Sequence, residues 1–279
     1  MNKVELEQLW RATLRSSAPM PEDFERLAQT VVAVYSSGHR NFQQHIKNRS
    51  KQVTENTGQD LDPDTFDLAM ARAFIADEIG FGSWDELINS VKSPEENQFP
   101  ILFKYAIAAM ERGDFSALES MVGGPGRFDD QVQEWYESGH FSAEPETLAE
   151  VFSGSCMLGY DKTAAYLLDK GVDPLAGTKT GLNGFHYAAS SGRLDVIKLL
   201  IERKVPMEIK NMYGGTVFDQ AIWSAVNEYS PDHAAIVEAL LEAGAVVEPG
   251  YAKWWEEQDV PSVETKERVA SALMRYGHS

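Results

Sequence analysis

Gly181-Leu-Asn-Gly-Phe-His-Tyr-Ala-Ala-Ser-Ser-Gly-Arg-Leu-Asp-Val-Ile-Lys-Leu-Leu-Ile-Glu-Arg-Lys204 decides the fold. It contains two short stretches with apolar residues at i, i+3, i+4 spacing, separated by Ser190-Ser191-Gly192. That pattern predicts a pair of short helices joined by a tight turn. Displaced by 33 residues, Gly181 falls on Gly214, Asn183 on Thr216, Phe185 on Phe218 and Ala188 on Ala221. Displaced the other way, Gly192 falls on Gly159, Ala189 on Cys156 and Leu200 on Leu167. The second helices repeat as Leu167-Leu168-Asp-Lys-Gly171, Leu200-Ile201-Glu-Arg-Lys204, Leu240-Leu241-Glu-Ala-Gly244 and Leu273-Met274-Arg-Tyr-Gly277, in steps of 33, 40 and 33. The long step adds seven residues, which fall after Ala225 and run up to Asp232, where Asn227-Glu-Tyr-Ser-Pro231 reads as a loop.

Each repeated position has a physical reason. Ala188 and Ala189 are small enough for the first helix to approach its neighbours closely. Val196, Ile197, Leu200 and Ile201 form the stripe that stacks on the next unit. Leu167, Leu200, Leu240 and Leu273 should therefore lie in one buried column. Gly171 and Gly244 stand where a helix ends in a left-handed residue, so Lys204 in that place predicts a strained or altered turn. One such unit cannot bury its apolar face alone, and stability has to come from stacking.

These residues resemble the ankyrin repeat, a unit of about 33 residues whose first helix opens with a Thr-Pro-Leu-His signature. Asn183-Gly184-Phe185-His186 stands in for that signature, and the next unit has Thr216-Val217-Phe218-Asp219, its His replaced. The resemblance covers 145–248 and extends less completely to 263–277. It implies an all-α, ankyrin-type solenoid of helix-turn-helix repeats with short hairpin loops over 97–279. The best repeats are 147–179, 180–212 and 213–248, and 249–279 is a C-terminal cap. It also implies that His186 bridges backbone groups of the hairpin. Ala109–Val122 fits a helix-turn-helix of the same kind without a matching hairpin. Residues 1–96 are expected to be a small helical leader. Asp67-Leu-Ala-Met-Ala-Arg-Ala-Phe-Ile-Ala-Asp-Glu-Ile-Gly-Phe-Gly-Ser-Trp-Asp-Glu-Leu-Ile88 is similar to the leader that precedes ankyrin repeats in some bacterial proteins. Ser83 with Glu86 predicts a capping box there, with Phe81 and Trp84 packing the turn. Residues 23–51 read as another helix pair, and 52–62, 92–99 and Gly123-Gly-Pro-Gly126 read as linkers or loops.

Over 279 residues, 25 Lys and Arg face 43 Asp and Glu, a net charge of −18. The excess is uneven: 1–60 hold 8 basic and 7 acidic residues, whereas 61–279 hold 17 and 36. This argues against a nucleic-acid partner, which needs a basic face, and against an anionic membrane surface. A single cysteine excludes an intrachain disulfide. The polar amino terminus and the lack of a long apolar run lead us to expect a cytoplasmic protein with no membrane association, working as a monomer.

Catalytic signatures are missing. Gly123–Gly126 lacks the Lys of a phosphate-binding loop. Asp60-Leu-Asp62-Pro-Asp64 lacks the sixth-position Gly and twelfth-position Glu of a calcium loop, and reads as a helix cap. Cys156 takes the place of Ala189 and reads as a small buried hydrophobe. No cofactor and no metal are expected.

What remains is a recognition surface, so the leading function is non-enzymatic binding of a protein partner on the concave face of the array. Family register lines that face with Met157, Ser190 and Trp223 in one row and Tyr187 and Gln220 beside it. The hairpin tips add Lys179, Met212 and Tyr213. Two alternatives concern packing: Trp223 against the 226–231 loop, and Trp254-Trp255 sealing the C-terminal end. A third is functional: an enzyme or small-molecule binder with its site where leader and repeats meet, in a pocket over 80–140.

Overall fold

The computed structural model describes residues 3–276 apart from 17, 94–100, 113, 115–124, 144 and 177–180. Among the described residues all regular structure is helical, and no helix is long and apolar enough to cross a membrane. The chain divides into two compact units, 1–114 and 115–279.

The first unit is built on α4 (Leu68–Ile79), which packs against α2 (Pro21–Ser36), α3 (Arg40–Thr57), α5 (Trp84–Lys92) and α6 (Ile101–Glu111); α1 (Lys3–Leu14) packs on α2. The Asp67 side chain starts α4 by accepting the Met70 N–H at 2.9 Å. Asp77 and Glu78 of α4 are buried, and buried carboxylates need partners. Arg49 of α3 reaches both, 3.1 Å from Glu78. Asn56 donates to Asp77 at 2.6 Å, and Arg112 donates to Glu78 at 3.2 Å. Ser83 Oγ caps α5 by accepting the Glu86 N–H at 3.1 Å. Glu86 itself reaches the Gly82 N–H, one residue earlier than a closed capping box requires. Phe81 is buried, and the Arg72 guanidinium lies over the Trp84 ring while pairing with Glu25. Asp62 caps the short turn Pro63–Thr65.

Because α6 packs on α4, the helix expected to open the solenoid lies within the first unit, and the division falls after Asp114 rather than at 96. Most of the remainder of that expected pair, 115–122, lies outside the described residues, as do Gly123 and Gly124. Pro125 opens a helix instead of closing a loop.

In the second unit the helices come in pairs. After α7 (Pro125–Glu137) come α8 and α9 (Pro145–Leu158, Asp161–Asp169), then α10 and α11 (Gly184–Ser190, Leu194–Glu202). α12 and α13 (Val217–Asn227, His233–Glu242) follow, then α14 and α15 (Tyr251–Glu257, Val263–Tyr276). First helices α8, α10 and α12 stack in one layer, and second helices α9, α11, α13 and α15 in another. Leu167, Leu200, Leu240 and Leu273 are all buried along the second layer. α8 packs closely on α10 at Gly184. A Cβ on Gly184 would lie 2.8 Å from Phe152 Cε1 and 2.9 Å from Cys156 Sγ, so the missing side chain is what lets the helices meet. Burial pushes the Cys156 thiol pKa far above its ordinary value, leaving it an inert apolar group. Gly171 and Gly244 end their helices with φ of 84° and 94°. Lys204 does so with φ of 55°, alone among the described non-glycine residues in that region.

Candidate binding groove

Asn183 starts α10 by accepting the N–H groups of Phe185 and His186, both at 3.1 Å. His186 is buried, with Nδ1 2.8 Å from Asn183 Oδ1. The ring lies near the backbone of Ile209 and Gly215, and burial lowers its pKa. Its Nε2 is buried without a hydrogen-bond partner among the described residues, so the bridge to the next hairpin that the resemblance implied is not closed. The hairpin is shaped by Asn211, whose side-chain oxygen accepts the N–H groups of Tyr213 (2.9 Å) and Gly215 (3.0 Å). Its tip carries Tyr213, which is 80% exposed.

In the next unit Asp219 occupies the signature histidine's place. Its carboxylate accepts the Thr216 N–H at 2.7 Å, Thr216 Oγ1 accepts the Asp219 N–H at 3.2 Å, and the same carboxylate accepts the Tyr251 hydroxyl. Burial, reinforced by that bond, pushes the Tyr251 pKa upward. Asp219 therefore caps α12 and holds α14 against it.

The seven extra residues are shared between helix and loop. α12 runs through Asn227, so the expected loop is shorter by its first residue. Ser230 seats the remainder on the preceding unit, where a Cβ on Gly192 would lie 2.2 Å from Ser230 Oγ. His233 is buried. Its Nδ1 accepts the Ser230 N–H at 2.9 Å, so Nε2 carries the proton and donates to the Ala189 and Ser190 carbonyls, each at 3.2 Å. Those carbonyls belong to the last turn of α10, which has no intrahelical donors for them. Burial lowers the His233 pKa.

With the loop anchored there, Trp223 stays 48% exposed in the middle of α12. It lines a groove of about 920 Å³. The groove is lined by Tyr213 and Gly215 of the hairpin, by Gln220 and Trp223 of α12, by Ser190 and Glu228, and by Tyr251 and Trp254. Of the expected contact residues, Ser190, Tyr213, Gln220 and Trp223 meet here. Met157 and Tyr187 do not line the groove. The Met157 carbonyl accepts from Arg193 at 2.8 Å. Met212 is 63% exposed but sits against Gly181 of the preceding hairpin rather than in the groove. Lys179 lies outside the described residues. The register missed Tyr251 and Trp254, because 249–257 does not repeat. The two adjacent tryptophans part company: Trp255 is fully buried and donates from Nε1 to the Lys266 carbonyl at 3.0 Å, sealing the end, whereas Trp254 is 38% exposed and faces the groove.

Stacked helix pairs repeating at a 33-residue interval define an ankyrin-type array. Residues 153–249 match the family described as ankyrin repeats (3 copies), so this segment is an ankyrin-repeat array. The chain is also 38% identical over 78 residues to the E3 ubiquitin-protein ligase hecd-1 of Caenorhabditis elegans, a match covering 28% of this chain and 3% of that protein.

Proposed function

We propose that the chain is a non-enzymatic binding module that takes a protein partner in the groove between the Asn211–Gly215 hairpin and Tyr251. Ankyrin repeats are in general protein–protein interaction modules. The observation that carries the reading is the grouping of Tyr213, Trp223 and Trp254, all exposed, around one depression. Stacking does not need them, since the stacking stripe is Val196, Ile197, Leu200 and Ile201, of which the first three are buried and Ile201 is half-buried. Aromatic side chains grouped in a depression are the usual anchors of interfaces. The strongly acidic charge disfavours a nucleic acid as the partner.

The test is affinity capture from the native cell with wild-type chain and a Trp223→Ala, Tyr213→Ala double variant, both checked for folding by circular dichroism. A partner retained by wild type and lost by the folded double variant supports the reading. Equal retention by both refutes it.

A further inference from the structure

Resting on that reading, we infer that the groove recognises a partner segment carrying arginine, with the guanidinium held against the aromatic wall and paired by Glu228 and Glu248. The lining contains three carboxylates, Asp219, Glu228 and Glu248, and no Lys, Arg or His among the described residues. Their situations differ. Asp219 is already committed to Thr216 and Tyr251. Glu228 uses one oxygen to accept the Ser190 hydroxyl at 3.0 Å. Neither Glu228 nor Glu248 has a cation in ion-pair contact among the described residues. Two carboxylates elsewhere in the array are matched across successive units: Arg203 pairs with Asp169 and Arg268 with Glu238, each at 2.6 Å. What distinguishes the two groove carboxylates is that they stand without such a partner in one depression with exposed aromatic faces.

That pairing selects the side chain. Guanidinium is planar, stacks on Trp and Tyr faces, and pairs with a carboxylate through two parallel hydrogen bonds; ammonium does neither stacking nor bidentate pairing. The geometry also selects a macromolecule over a small cation, because Tyr213 projects from the rim almost fully exposed and adds contact area beyond the groove.

The experiment uses the full chain and a fluorescein-labelled peptide of Gly-Ser-Arg repeats, followed by anisotropy at physiological ionic strength. Matched peptides carry Lys or citrulline in place of Arg. Expected results are that the Arg peptide binds more tightly than the Lys peptide and that the citrulline peptide does not bind. Trp223→Ala should weaken the Arg peptide about thirtyfold, and Glu228→Gln with Glu248→Gln about tenfold. Asp195→Asn with Glu202→Gln, which removes the same charge from an exposed face elsewhere, should leave binding unchanged. Equal weakening by both charge-removing pairs, equal binding of Arg and Lys peptides, or no binding at all would overturn the inference. The two readings also fail separately. A captured protein partner that is lost with Trp223→Ala but retained with the Glu→Gln pair keeps the groove and removes arginine. Retention with every variant removes both.

Discussion

Replacing Gly184 by Ala should destabilise the protein, although the same change at the first position of an unencumbered helix would favour it by up to about 1 kcal/mol. The added Cβ would stand 2.8 Å from Phe152 Cε1 and 2.9 Å from Cys156 Sγ. Both neighbours are fully buried, so neither can swing into solvent, and α8 must move off α10. Overpacking of this kind costs about 1–3 kcal/mol. Set against the full helix preference, the net loss is about 0–2 kcal/mol, or up to roughly 8 °C in Tm for a unit of this size. The assay is urea unfolding followed by circular dichroism for wild type, Gly184→Ala, Cys156→Ala and the double variant. Removing Sγ makes room for part of the new methyl group, so the two changes should be coupled by about 0.5 kcal/mol or more. Gly171→Ala is the control: nothing lies near that position, and no coupling to Cys156→Ala is expected. A stabilised Gly184→Ala protein, or strictly additive effects, would refute the close-approach argument.

Leu200→Ala should cost about 2–5 kcal/mol, read by the same unfolding assay, because Leu200 is central in the buried column. Lys204→Gly should raise stability by about 0.5–1 kcal/mol, since a left-handed lysine is strained and glycine offsets only part of that through chain entropy. A loss of stability would contradict the strain. His186 and His233 have folded-state pKa values lowered by burial, so the unfolded chain binds more protons once pH falls below about 6.5. Their contribution is fully present above that pH and is lost as pH drops, by at most about 1.4 kcal/mol per pH unit for each histidine. His233→Gln should therefore flatten stability against pH between 7 and 5.5, despite the opposing pull of nearby Glu228 and Asp232. An unchanged slope would show that His233 takes up its proton while folded.

The repeat made the array readable because stacking repeats its demands at a fixed interval. The leucine column and the small Cys156 could be read from register alone, and register marked Lys204 as a strained or altered turn, which the structure keeps left-handed. Register carries a position from one unit to the next, but it does not say what closes the space beside it. Trp223 and Ser190 were legible as groove residues, whereas Tyr251 and Trp254 come from a segment with no counterpart in the other units. The extension of α12 through Asn227 was hidden because Asn227-Glu-Tyr-Ser-Pro231 has a loop's composition. In the first unit, nothing local in the sequence pairs Arg49 and Arg112 with Asp77 and Glu78. That network depends on which helices α4 meets, and the same contacts draw α6 into the first unit.

A protein partner held in the groove between the Asn211–Gly215 hairpin and α14 should leave its footprint on hydrogen–deuterium exchange of the full chain, measured alone and saturated with a captured partner. Binding should slow exchange at 211–215, 219–228 and 248–254 together, with little change on the second-helix layer at 194–202 and 263–276. Protection confined to that second layer or to residues 1–112, with the groove segments unchanged, would contradict that placement.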